Sequence, residues 1–146
     1  MFRGSAPTKI DDKGRLKVPT LFRRELEERY GPDVFITSIV GDSTLIYPLR
    51  VWEQIEQRIA ALPATDRTRR RFLERVSYYG QGARLDSQGR VVVPTLLRDG
   101  AAMSGEVVVS GRLDHLEVWN HDRLRDRFAS EPFTDEEFEY LSEKGI

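Results

Sequence analysis

Cysteine is missing from all 146 residues, which excludes disulfide frameworks, thiolate metal sites and cysteine nucleophiles. No apolar run approaches the roughly 20 residues needed to cross a bilayer, so no membrane partner is expected. Histidine occurs twice, and His115 and His121 are not spaced as a metal pair on one helix face. No nucleophile elbow, phosphate loop or dinucleotide fingerprint occurs, and Gly80-Gln81-Gly82 is a G-x-G that follows a helical stretch and reads as its stop. These absences set aside catalysis, cofactors, metals and a small-molecule substrate. The stretch Met1–Lys9 holds Arg3, Pro7 and Lys9 where a secretory leader would be apolar, so the cytoplasm is the expected compartment.

Charge of one sign is also lacking overall, with a net charge of −1, but its distribution is uneven. Residues 1–24 carry seven basic and two acidic residues, a balance of +5, whereas residues 113–146 carry four basic and ten acidic ones, a balance of −6. Ordinary scatter is one reading; a polyanion-facing front and a solvated tail is the other. An apolar content of 39% beside 32% charged residues is that of a globular chain. Half of it would bury too little surface to be stable alone.

What the sequence does contain is an internal repeat. Ile10-Asp11-Asp12-Lys13-Gly14-Arg15-Leu16-Lys17-Val18-Pro19-Thr20-Leu21 returns, 75 residues later, as Leu85-Asp86-Ser87-Gln88-Gly89-Arg90-Val91-Val92-Val93-Pro94-Thr95-Leu96. Asp at the first position and Gly at the fourth suit a type I turn closed by a left-handed glycine, hence a β-hairpin with a bulge. Arg15–Val18 alternates polar and apolar as a half-buried strand does. The more uniformly apolar Arg90–Val93 is expected to be buried on both faces. Pro19 and Pro94 end the strands, and Thr20 and Thr95 are placed to cap the helices that follow. Phe22, Leu26 and Tyr30 should face the core from the first helix, which Gly31-Pro32 stops.

A second hairpin is expected in each half: Val34–Val40 with Thr44–Tyr47 around Gly41-Asp42-Ser43, and Glu106–Ser110 with Leu116–Trp119. Helices then carry Trp52, Ile55, Ile59 and Leu62, and later Leu124 and Phe128; another runs from Asp66 to Tyr79. Near the C-terminus Thr134 and Glu137 form a capping box, with Phe133 and Phe138 as its hydrophobic staple. Trp52, Tyr78, Tyr79 and Trp119 read as core or interface aromatics in preference to base-stacking ones.

The repeated D-x-x-G-R before an apolar strand and Pro resembles the swapped-hairpin DNA-binding domain of the AbrB and SpoVT class. Two copies at this spacing, with the opening Met-Phe-Arg-Gly, Leu45-Ile46-Tyr47-Pro48-Leu49 beside Trp52, and Leu116-Glu117-Val118-Trp119, resemble the MraZ family. That resemblance implies an α+β, mainly β fold: two tandem AbrB-like modules, 1–81 and 82–146, forming one intramolecular double-ψ-like β-barrel with peripheral helices. It also implies a transcriptional regulator of the bacterial division and cell-wall gene cluster, associated with the nucleoid. Such a regulator assembles into a ring and binds short direct repeats in its own promoter. The family's Asp-x-x-x-Arg motif falls on Asp11 with Arg15 and on Asp86 with Arg90.

The residues support a double-stranded DNA partner on their own terms. A β-ribbon fits the major groove, where arginine can bond guanine O6 and N7 together; lysines more often meet phosphates. The candidate DNA-binding set is Arg3, Lys9, Asp11, Lys13, Gly14, Arg15 and Lys17 in the first copy, and Arg84, Asp86, Gln88, Gly89 and Arg90 in the second. Asp11 could pair with Arg15 and hold its guanidinium in register or serve only as the turn's first residue; the turn is the stronger account of Asp11 and Gly14, whereas no turn requires Arg15. Two of the four positive positions in the first copy are lost at Gln88 and Val92, so the first copy is expected to be the main reader. The run Arg67, Arg69, Arg70, Arg71 and Arg75 is read as a solvated helix face, with a phosphate contact or pairing to the acidic tail left open. An antitoxin-like DNA-binding protein and a ring-forming interaction scaffold are the alternative functions.

Overall fold

A computed structural model describes residues 1–146. Eight strands, β1 (Ser5–Ile10), β2 (Arg15–Lys17), β3 (Asp33–Thr37), β4 (Thr44–Pro48), β5 (Gln81–Arg84), β6 (Arg90–Val92), β7 (Gly105–Gly111) and β8 (Leu116–Asn120), are interleaved with six helices. The helices are α1 (Thr20–Glu25), α2 (Leu49–Ala60), α3 (Arg67–Tyr79), α4 (Thr95–Gly100), α5 (His121–Ser130) and α6 (Asp135–Glu143); a π-helical stretch, Leu26–Tyr30, continues α1.

All strand pairs are antiparallel, in the order β5-β3-β4-β8-β7-β1-β2-β6. The two edges of this order, β5 and β6, are consecutive in the chain. The Asp86 N–H donates to the Arg90 carbonyl at 2.9 Å and draws them together. The sheet therefore curls into a nearly closed barrel, which leaves little unpaired backbone at its edges. This is the α+β, mainly β architecture the sequence implied.

The two repeats meet at the β2–β6 pair, the last of the strand order. Strand β2 pairs with β6 so that Leu16 stands opposite Val91, its own counterpart in the repeat. The hairpins then reach across each other: Val18 N–H donates to the Gly89 carbonyl at 3.0 Å, and Val93 N–H donates to the Gly14 carbonyl at 2.8 Å. A pseudo-twofold axis thus passes between Leu16 and Val91. Both are buried, in a core that also takes Phe2, Val18, Phe22, Leu26, Ile36, Ile46, Val93, Leu97 and Val109. Phe22 and Leu26 face inward as their spacing predicts, and Tyr30 packs against the same core. Helices α2 and α3 cover the β3–β4 wall, where Trp52 stacks on Phe35 at 4.8 Å and Phe72 on Trp52 at 6.3 Å. Asp66 caps α3 by accepting the Arg69 N–H at 2.9 Å.

Several expectations are corrected. Val92 is 46% exposed, so β6 is buried on one face only. It occupies the position of Lys17, and the pleat alternates whatever the side chain. Thr20 and Thr95 do not cap their helices; Pro19 and Pro94 hold the N-cap positions, with no side-chain cap bond, and each threonine is already the first helical residue. The proline carbonyls take the first helical bonds instead, from Phe22 and Arg23 and from Leu97 and Arg98. Strand β3 ends at Thr37, short of Val40. Helix α2 ends at Ala60, leaving Leu62 outside it and exposed, while Ile55 and Ile59 are only half-buried. Leu124 is buried, but Phe128, one turn further on, is 62% exposed. Of the four large aromatics assigned to core or interface, Tyr78 is not in the core: it is 63% exposed and packs edge to face on Tyr79. Gln81 and Gly82 do more than stop α3, since they belong to β5 and pair with β3.

The pleat across the pseudo-twofold axis gives a direct test. Leu16→Ala should lower stability by about 2–5 kcal/mol, the cost of truncating a core leucine. Val92→Ala should change it by no more than about 0.5 kcal/mol. Urea unfolding monitored by tryptophan fluorescence measures both; equal losses would mean that β6 is buried on both faces.

Candidate nucleic-acid interface

Each copy of the repeat builds the same turn by the same bonds. Asp11 N–H donates to the Arg15 carbonyl and Gly14 N–H to the Asp11 carbonyl, both at 3.0 Å. Gly14 has φ +80° and Gly89 φ +74°, the left-handed backbone that closes a hairpin through a bulge. Asp11 Oδ1 accepts the backbone N–H groups of Lys13 at 3.0 Å and Arg15 at 2.9 Å, while Oδ2 accepts Arg15 Nε at 2.7 Å. Asp86 repeats this with Gln88 at 2.8 Å, Arg90 N–H at 2.9 Å and Arg90 Nε at 2.9 Å. The carboxylate is therefore both the turn's first residue and the clamp on its arginine. The Arg15 backbone N–H foremost, with its guanidinium and the Lys13 N–H, holds the Asp11 carboxyl below its ordinary 3.8, against a partial desolvation that pushes it up. Asp86 is lowered by the equivalent groups.

Clamping through Nε fixes the plane of the guanidinium and leaves both terminal nitrogens without an intrachain hydrogen bond, in Arg15 and Arg90 alike. Side-chain exposures of 35% and 27% leave both groups partly open to solvent. This is the geometry in which an arginine presents paired donors to a planar acceptor or a phosphate without a further ordering cost.

The barrel register gathers the rest. Arg15 stands opposite Val92, and Lys17 opposite Arg90, on the outer face of β2 and β6. Extending the Ile10–Leu16 pairing by one residue sets Lys9 beside Lys17, and the Thr8 hydroxyl bonds the Lys17 carbonyl at 2.6 Å. Lys9, Lys13 and Lys17 are exposed. Arg84, on β5, flanks the other side and meets Asp33 at 3.4 Å, and Lys9 faces Glu106 of β7, so acidic residues border the basic strip on both sides. Gln88 and Lys13 sit at the two turn tips, both exposed, with Gly89 and Gly14 buried beneath them. Arg3 is the member not gathered there: it lies beyond the far end of β1 from the turn, in a depression with Met1, Leu21, Phe22 and Glu25.

Two residues that the sequence reading passed over complete the arrangement. Arg98 of α4 lies over Gly14, and Arg23 of α1 lies over Gly89, so that a Cβ on either glycine would come within 2.7 Å of a guanidinium nitrogen. Arg23 Nη2 also donates to the Ser87 carbonyl at 3.0 Å. Each turn is thus held down by an arginine from the opposite repeat. The signal was present, since Arg23 and Arg98 are equivalents two residues beyond the point where the repeat was read to end.

Comparison with known proteins gives one consistent result. Residues 1–75 and 81–142 match the model of a family described as "MraZ protein, putative antitoxin-like". Among similar proteins, a transcriptional regulator MraZ of Acidobacterium capsulatum is 45% identical over 146 residues, covering 100% of both chains. One from Koribacter versatilis is 47% identical over 147 residues with the same coverage. A third, from Moorella thermoacetica, is 37% identical over 149 residues, covering 100% of this chain and 97% of its own.

The clamp has a pH signature. A carboxyl held low contributes stability above its unfolded value and loses it as pH falls through the folded one. Asp11→Asn should therefore be less stable than the parent at neutral pH, with a gap that stays constant down to about pH 5 and closes below 3.8. Urea unfolding at a series of pH values reads this; a gap that persists unchanged at pH 3 or below would mean that the carboxylate charge plays no part.

Proposed function

Because the chain belongs to the MraZ family, we propose that it regulates transcription by binding double-stranded DNA with the outer face of β1, β2, β6 and β5. The observation that carries this reading is the pair of carboxylate-clamped arginines, Arg15 and Arg90, set diagonally across the pseudo-twofold axis on one face with their terminal nitrogens free of intrachain hydrogen bonds. A thin basic ridge suits the major groove, where a guanidinium set in plane distinguishes guanine from the other bases. Lys9, Lys13, Lys17 and Arg84 contact phosphates and position the ridge. Asp11, Asp86, Gly14 and Gly89 shape the turns, Gln88 meets the duplex from the second tip, and Arg3 reaches a phosphate at its margin. The first repeat, within module 1–81, is the principal reader. The second, within 82–146, supplies Arg90 and completes the barrel.

The targets on this reading are short direct repeats in the promoter of the protein's own gene, in the division and cell-wall cluster. One weak ridge gives little affinity. A ring of identical chains at fixed spacing raises the effective concentration of each ridge at the next repeat, so self-assembly and a repeated operator belong together. The protein acts in the cytoplasm at the nucleoid, and neither a cofactor nor a catalytic step enters the scheme. An antitoxin-like role would favour a tail without structure of its own for the partner to order; here the tail forms α6, whose capping box is complete.

Binding titrations on a promoter duplex test the reading. Arg15→Ala should weaken binding by about 1–3 kcal/mol and relax base preference, and Arg90→Ala should do so less. Affinity should fall steeply with added salt, since phosphate contacts release counterions. Equal losses would remove the asymmetry between the repeats; absence of binding at low salt would favour the interaction scaffold.

A further inference from the structure

Two surface features have no role in the DNA-binding scheme, and each supplies what the other lacks. The first is α6. It buries none of its residues, yet it is amphipathic, with Phe133, Tyr140 and Leu141 lining a shallow depression of about 330 Å³ beside Glu136 and Glu137. Phe133 and Phe138 pack edge to face at 4.7 Å and are otherwise exposed. Residues 131–146 carry six acidic residues and one lysine. A helix of nine residues is short of the length that is stable alone in water, so its apolar face is built to be covered.

The second is α3. Its outward stripe, Arg70, Leu73, Glu74 and Ser77, borders with Ala64 and Arg69 a depression of about 390 Å³, and Leu73 is exposed in it. The helix holds five arginines and one glutamate. Arg69 bonds the Leu62 carbonyl and Arg75 the Ile39 carbonyl, but Arg67, Arg70 and Arg71 have no acidic partner. These three crowd the first turns of α3, the positive end of the helix dipole, where cations are unfavourable. Only the N-cap Asp66 offsets them within the chain. Such an arrangement calls for negative charge from outside.

We propose that α6 of one chain docks in the α3 groove of a second copy. The acidic residues of α6 neutralise Arg67, Arg70 and Arg71, and its aromatic stripe covers Leu73 and Ala64. DNA would supply the charge, but phosphates have no use for an apolar groove; α6 brings both the charge and the apolar face. Because donor and acceptor surfaces differ, the contact is head-to-tail and propagates from chain to chain until it closes. The inference rests on the reading of the protein as a self-assembling regulator and names the surfaces that join its subunits.

Charge reversal tests this in the full-length protein by sedimentation velocity. Arg70→Glu with Arg71→Glu, and separately Glu136→Arg with Glu143→Arg, should each weaken self-association by about tenfold or more; all four positions are exposed. The two variants mixed should reassemble, because every α3–α6 contact is then between opposite charges. That recovery also shows that both variants are folded. Each variant should still bind a duplex with one repeat within about twofold of the parent, as expected of sites distant from the ridge. Failure of the mixture to reassemble overturns the proposal. If the four substitutions combined in one chain restore assembly where mixing does not, α6 docks on its own chain. Weaker DNA binding by the α3 variant with assembly unchanged assigns these arginines to phosphates. A parent protein that is monomeric at all concentrations would overturn the self-assembly reading itself.

Discussion

The antiparallel pairing of β2 with β6 is the constraint on which the rest of this structure depends. Neither repeat can bury its own apolar strand: a hairpin of this length has one face to hide and nothing of its own to hide it against. Placing Leu16 opposite Val91 makes each hairpin the other's missing neighbour, and the reciprocal bonds from Val18 to Gly89 and from Val93 to Gly14 lock the register. A slip of one residue would turn Leu16 and Val91 outward and carry Arg15, Lys17 and Arg90 into the core, so the register is strongly enforced. The same pairing that encloses the core therefore sets both clamped arginines on one outer face, diagonally across the axis.

Electrostatics then refine what packing has placed. The carboxylates of Asp11 and Asp86 each take three donors from their own turn, which leaves them few lone pairs for other partners and orders the guanidinium before any ligand arrives. Arg23 and Arg98 reach across to brace the opposite turn. A flexible arginine would lose side-chain entropy on meeting a duplex, whereas one already fixed at Nε has lost much of it on folding. A chain of net charge −1 can in this way keep a basic ridge: the acidic residues lie in the tail and along the ridge's borders.

Much of this was legible because the chain states its hairpin twice. The turn type, the left-handed glycines, the strand pairs β3–β4 and β7–β8 and the C-terminal capping box follow from local chemistry that needs no tertiary partner. The readings that failed are those that only packing decides. A run of three valines does not say which faces water; the equivalence of Val92 with Lys17 did. Thr20 and Thr95 carry the right side chains for caps, yet the prolines before them, held extended by the strands, already occupy the cap positions. Phe128 is apolar at helical spacing from Leu124 but finds no cover within the chain. The gathering of Lys9, Lys17, Arg84 and Arg90 on one face depends on β2–β6 pairing across 75 residues of sequence, beyond the reach of periodicity.

The central claim is that the two turns together form the surface that meets DNA, and the absence of cysteine makes it directly measurable. Asp12→Cys and Ser87→Cys place a unique thiol at equivalent exposed positions of the two turns, and Glu53→Cys places one at an exposed position of α2. The rate of maleimide labelling is measured for each with and without saturating promoter duplex. The account predicts that DNA slows labelling at residues 12 and 87 and leaves residue 53 unchanged; protection at residue 53 with both turns still freely labelled would contradict it.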